Sequence, residues 1–212
     1  MRRLTAPFAR NPIELDKPSR RYDYLLMSIA HHRRKQPELV RQQLLEVAAR
    51  LSLEQGAAGV TLDAVSQAAG VSKGGLLHHF PNKMALLNGL FDDLTGKMER
   101  AIEEEMRNDP VAHGRFTRAY LSVVFALGED PDAQGWQVLT IALLSEPQLR
   151  ERWRLWVADH ADEFVGTDSS PGCLLARFAA DGLWLADTLK SHDIDQPLRQ
   201  AMRAQLIALS LQ

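Results

Sequence analysis

The chain has 212 residues, 45% hydrophobic and 25% charged, with a net charge of −2, which suits a globular protein of one large domain or of a small domain joined to a larger one. No run approaches the ~20 apolar residues of a membrane span, and no apolar stretch with a cleavage site follows the basic start, as a secretory signal would need. One cysteine, Cys173, excludes an internal disulfide and a cysteine-based zinc site. The expected setting is a reducing cytoplasm with no membrane partner.

Charge is unevenly placed. Residues 1–97 carry 14 Lys and Arg against 9 Asp and Glu, and residues 98–212 carry 11 against 18. Only the first half is therefore expected to meet a polyanion.

Residues 1–36 show no sustained period. "NPIELDKPSRRYDY" mixes two prolines with both charges and reads as an arm, with a short helix over Tyr22–Ala30. The arm either reaches a DNA minor groove or is a disordered tail. A periodic helix starts at Pro37, with Glu38 in its first turn and Leu44, Leu45, Val47, Ala48 and Leu51 as its apolar face; Gly56 ends it. Two short helices follow, then "PNK" and a longer helix from Lys83 to about Arg107. Asp109 is expected to cap a helix from Pro110 to about Leu127, and "GEDPD" to open the next, to about Ser145. "SEP" opens another helix, "GTDSSPG" reads as a loop, and two last helices cover about Cys173–Lys190 and Gln196–Leu211. No alternating β-pattern appears, so the fold class is all-α. The expected domains are an arm at 1–36, a helix-turn-helix at 37–82 and a larger helical domain at 83–212.

The short helix pair carries the most specific signal. Thr61 caps the first helix, whose Leu62, Val65 and Ala69 face inward, and Gly70 suits the left-handed residue that ends it. Ser72 caps the second helix, which Leu76 and Phe80 anchor from four residues apart. Two helices of about eight residues around a three-residue turn make a helix-turn-helix, whose second helix enters the major groove of DNA. Gly74 and Gly75 are unfavourable helix residues; their place at the N-terminus of that helix suggests close approach of backbone to base or phosphate.

"VTLDAVSQAAGVSKGGLLHHFPNKMALLNGLF" resembles the DNA-binding segment of TetR-type transcriptional regulators, over about residues 38–92. The resemblance implies a three-helix reading domain and a helical regulatory domain that dimerises through its last two helices, about 173–211. It places Thr61 and Ser72 as caps that also touch phosphate, Lys73, Gly74 and Gly75 at the groove, His78 near backbone or base edges, and Lys83 on a phosphate. The family usually has tyrosine where this chain has Leu77. Leu77 either meets a thymine methyl or packs.

Other signals are weaker. The adjacent pairs His31–His32 and His78–His79 point about 100° apart on a helix and cannot chelate one ion, so no metal is expected. Cys173 reads as a packed residue, and no catalytic constellation is visible. Aromatic residues of the second half, Phe116, Tyr120, Trp136, Trp153 and Trp184, with His113 and Gln137, are the candidate lining of an apolar effector pocket. Trp156 belongs to the same aromatic set, and His160 and Arg118 are further polar candidates. The sequence reads as a dimeric, ligand-released repressor of a palindromic DNA operator, without cofactor or enzymatic activity. The rival readings are a ligand-independent DNA-binding protein and a helical small-molecule enzyme.

Overall fold

The structure, a computed structural model, describes residues 37–51, 54, 60–127 and 133–212. The expectations for the arm, its short helix and His31–His32, for the cap at Gly56 and for the turn at "GEDPD" lie outside these residues. The chain forms two compact units, Met1–Arg41 and Gln42–Gln212. Of the first, residues 37–41 are described; they are helical, and Glu38 pairs with Arg41 at 3.9 Å. All regular structure among the described residues is helical.

The helices are α1 (residues 37–51), α2 (Leu62–Ala68), α3 (Lys73–His79), α4 (Lys83–Asn108), α5 (Arg115–Ala126), α6 (Ala133–Ser145), α7 (Pro147–Glu163), α8 (Val165–Asp168), α9 (Pro171–Leu189) and α10 (Gln196–Leu209). Leu44, Leu45, Val47, Ala48 and Leu51 of α1 are buried, as their spacing predicts. The 26-residue α4 buries Leu86, Leu87, Leu90, Phe91, Leu94, Met98 and Ile102 along one stripe, and packs on α5 and α6. Helix α5 packs on α9, and α9 on α10 and α6. A long helix thus begins beside the small helices and runs into the larger bundle.

Two expectations are corrected. Asp109 does not open a helix: it ends α4, and its carboxylate accepts the Val111 N–H at 2.9 Å and Arg118 Nε at 2.6 Å. Residues 109–114 are therefore tied as a turn, and α5 begins only at Arg115, after Gly114 at φ +67°. A Cβ on Gly114 would lie 2.1 Å from the Ser210 carbonyl oxygen, so both conformation and the end of α10 require glycine there. The segment "GTDSSPG" is not an open loop either. Val165–Asp168 form a helical turn, and α9 starts at Pro171, two residues before Cys173. Ser170 caps it by accepting the Cys173 N–H at 3.2 Å, with proline at the first turn where its missing N–H is harmless. Asp168, buried, accepts the Thr117 N–H at 2.7 Å and so pins this turn to the start of α5.

Candidate DNA-reading helix and effector cavity

Local chemistry builds the reading helix. Thr61 Oγ1 accepts the Ala64 N–H at 3.1 Å and Ser72 Oγ the Gly75 N–H at 3.1 Å, each satisfying an otherwise open helix N-terminus. Gly70 stands at φ +65°, and the Val71 N–H returns to the Ser66 carbonyl at 3.0 Å, which closes the turn. Ser66 is buried and small where α2 meets α3. Leu76 and Phe80 are buried under α3. Asn82 then caps α4 by accepting the Ala85 N–H at 2.8 Å, which places Lys83 at the first residue of the long helix.

The outward face of α3 carries Lys73, Gly74, Leu77 and His78, all exposed and all within one face of the helix. Lys73 Nζ is held 2.9 Å from the Asp63 carboxylate of α2. Leu77 is 37% exposed, so it does not pack inward. The two glycines separate. A Cβ on Gly74 would meet nothing within 4 Å, so the fold itself does not need glycine there. One on Gly75 would lie 3.0 Å from Val71 Cγ1 and 3.2 Å from the capping hydroxyl of Ser72. The turn itself accounts for Gly75, and only Gly74 is left for close approach by an outside group.

In the larger bundle a cavity of about 190 Å³ opens between α5, α7 and α9. Phe116 and Tyr120 come from α5, Trp156, Val157 and His160 from α7, and Leu174, Arg177, Phe178 and Asp181 from α9. Rings run beside it as a column. Trp153 stacks on Trp156 at 5.0 Å, Trp156 meets His160 at a tilt at 4.1 Å, and Phe116 stacks on His160 at 5.5 Å and on Phe164 at 4.7 Å. His160 Nδ1 lies 2.8 Å from the Trp156 carbonyl, which can only accept, so that nitrogen carries the proton. The Tyr120 hydroxyl donates to the Asp181 carboxylate. Burial pushes the Asp181 carboxyl above its ordinary range, against the Tyr120 hydrogen bond and the Arg177 charge, which pull it down. Burial, and then the Asp181 charge, raise the Tyr120 phenol well above its usual value.

Of the residues named from sequence, Phe116, Tyr120 and Trp156 stand on this wall, as does His160. Trp136, Trp153 and Trp184 do not. They meet edge to face at 5.7 and 5.6 Å as an aromatic knot between α6, α7 and α9. Gln137 is half-buried on α6 and off the wall. His113 is exposed in the turn before α5, and Arg118 is engaged by Asp109 and by the carbonyls of Val111 and His113. Sequence reading missed Arg177 and Asp181. Their signal was a pair of opposite charges four residues apart inside the otherwise apolar "CLLARFAADGLWLA".

Helix α7 also grips α4. Trp156 Nε1 donates to Glu99 Oε1 at 2.7 Å. One turn earlier, Arg152 donates to Asn88 and Asp92 and lays its guanidinium 4.2 Å from the centre of the Phe91 ring. Trp156 is thus common to the cavity wall and the long helix. Among the described residues, no group of three or more potential ligands could hold a metal, and no helix is long and apolar enough to cross a membrane.

Comparison with known proteins agrees with this geometry. Residues 44–90 match the family of bacterial regulatory proteins of the tetR type, and residues 114–211 match a tetracyclin repressor-like C-terminal domain. The chain is similar to the transcriptional repressor AcnR of Corynebacterium efficiens, 26% identical over 151 residues, covering 69% of this chain and 70% of that one. Its likeness to the repressor KstR2 of Rhodococcus jostii is 31% over 87 residues, or 39% of this chain and 43% of the relative. Among solved structures, a putative transcriptional regulator from Pseudomonas aeruginosa PAO1 superposes with a TM-score of 0.61 at 22% identity, covering 83% of this chain and 92% of that one. At that identity the likeness speaks for the fold.

Proposed function

The chain belongs to the TetR family of bacterial regulatory proteins, and we propose that it is a homodimeric repressor, without catalytic activity, whose grip on operator DNA is released by a small molecule held between α5, α7 and α9. The observation that carries this reading is Trp156, whose ring lines the cavity while its N–H holds Glu99 of α4. A molecule in the cavity lies against that ring. Shifting it loosens α7 from α4, and α4 begins at Lys83, three residues after the Phe80 anchor of the reading helix. The exposed side chains of Leu175, Phe178, Leu185 and Leu189 on α9, with Leu198 on α10, offer an apolar face to a second copy. A dimer reads two half-sites at fixed spacing, so a small displacement of α4 breaks the match. Thermodynamically the effector need only bind the DNA-incompetent state more tightly.

The DNA contacts are assigned to the exposed face of α3 and its flanks: Gly74, Leu77 and His78 toward base edges, and Thr61, Ser72, Lys73 and Lys83 toward phosphate. Relatives named as repressors support the sign of regulation. The test is selection of bound duplexes from a random pool by the purified chain. Inverted repeats with a constant half-site spacing are expected. Sites lacking dyad symmetry would refute the dimeric reading.

A further inference from the structure

We propose that the cavity between α5, α7 and α9 takes a small organic cation with an aromatic body, its charge set against the Asp181 carboxylate and the faces of Tyr120, Trp156 and Phe178. This rests on the effector reading of the cavity given above and names the class of molecule. Ring faces attract cations and repel anions, and five of the residues around the cavity are aromatic: Phe116, Tyr120, Trp156, His160 and Phe178. Asp181 is the one carboxylate on the wall among the described residues. Its only hydrogen-bond donor among them is the Tyr120 hydroxyl, so an ionised Asp181 is under-compensated in an apolar surround. The upward push on its carboxyl agrees. An arriving cation supplies what is missing.

Arg177 is the group that would favour an anion instead. It is turned the other way: its Nη1 donates to Thr117 Oγ1 at 2.6 Å and to the Asp168 carbonyl at 3.2 Å, and its guanidinium lies 5.7 Å from the centre of the Phe116 ring. That engagement ties Arg177 to the start of α5 and to the turn before α9, so of the two charged groups on the wall Arg177 has its hydrogen bonds met elsewhere and Asp181 has only the Tyr120 hydroxyl. A volume of about 190 Å³ suits one ring bearing a compact onium group.

The test uses three probes on the intact protein, followed by calorimetry and tryptophan fluorescence. Phenyltrimethylammonium is a permanent cation, tert-butylbenzene is its uncharged isostere, and benzoate is an anion of similar size. The cation is expected to bind at least about tenfold more tightly than either of the others. Asp181→Asn should remove that preference and leave tert-butylbenzene binding unchanged, and Tyr120→Phe, which takes away the hydrogen bond that helps hold Asp181 ionised, should move the loss of cation binding to higher pH. Lowering the pH should weaken the cation in the wild type as Asp181 takes up a proton. His160 from α7, Arg177 from α9 and Tyr120 from α5 also face the site, so any pH response that persists in Asp181→Asn belongs to them. Thermal melts establish that both variants fold; should Asp181→Asn fail, wild-type discrimination between the cation and its isostere still decides. Equal binding of the isostere, or preference for benzoate, would overturn the cation class while leaving the cavity as the effector site. Binding of none of the three would overturn both.

Discussion

Gly182 lies in the interior of α9, where glycine costs roughly 0.8–1.0 kcal/mol relative to alanine. A Cβ placed on it meets nothing within 4 Å, so nothing within one chain calls for glycine. It falls between Phe178 and Leu185 on the exposed apolar face, at helical spacing. In the proposed dimer it marks where α9 crosses its copy, since a missing side chain lets two helix axes approach. Gly182→Leu tests this. Forcing bulk into a packed contact costs typically about 1–3 kcal/mol, and at a twofold axis both protomers carry the change, giving roughly 2–6 kcal/mol. The dimer dissociation constant should then rise between about 30-fold and about 20,000-fold. Sedimentation velocity over a dilution series reads this directly, with urea unfolding in parallel to establish that the variant is folded. Gly182→Ala, by contrast, should raise the stability of a dissociated chain by up to about 1 kcal/mol. If Gly182→Leu associates as tightly as the wild type, the crossing is elsewhere and the reasoning fails.

Trp156→Phe keeps a ring in the cavity but removes the donor to Glu99; losing a hydrogen bond to a charged group, about 1.5–3 kcal/mol, should abolish most of the effector's influence on operator affinity, read by anisotropy of a labelled duplex. Unchanged coupling would take this bond out of the path. Gly172→Ala would put a Cβ 2.3 Å from the Leu209 carbonyl oxygen, and an overpacking cost of about 1–3 kcal/mol should lower Tm by several degrees in calorimetry; a shift under about one degree would contradict the close seating of α10. The Arg118 guanidinium holds the Asp109 carboxyl below its ordinary range, so this pair stabilises the fold above the unfolded carboxylate pKa, and that contribution is lost as pH falls through the lower folded value. Urea midpoints measured downward through this acid range should fall less steeply in Asp109→Asn than in the wild type. Gly74→Val should fold normally yet lose operator binding in a gel-shift assay, because a side chain there meets only what approaches from outside.

The reading head was legible because its determinants are local. Thr61, Gly70 and Ser72 each act within four residues of the backbone they cap or turn, so order along the chain is enough to identify them. The bundle behaves differently. Asp109 and Pro110 look like a helix start, yet Arg118, nine residues on, claims the carboxylate, and Ser210, ninety-six residues past Gly114, leaves no space beside that glycine. Nine wide rings in the second half announced an aromatic interior, but which of them face a cavity depends on how α5, α7 and α9 cross. Composition therefore pointed to Trp136 and Trp184 as readily as to Trp156. Gly75 shows the opposite error: a feature attributed to DNA has a sufficient cause within the turn, in Val71 and the Ser72 hydroxyl.

On the reading face, the one lysine of α3 is already matched by Asp63. The neighbourhood is as balanced as the pair: residues 37–97 hold 5 Lys and Arg against 6 Asp and Glu, whereas residues 1–36 hold 9 against 3. The basic excess of the first half therefore belongs entirely to the stretch ahead of the helices. With only two cations, Lys73 and Lys83, assigned to phosphate in each protomer, the head displaces few condensed counterions, and its own hold on a duplex has a modest dependence on ionic strength. It also lingers little on duplex of the wrong sequence, where charge alone would keep it. On this charge count, residues 1–36 are the candidate source of attraction to DNA in general, and the helices after them of choice among sequences. Shortening the first 36 residues should flatten the salt response and weaken all binding by a common factor, with the ranking of sites preserved.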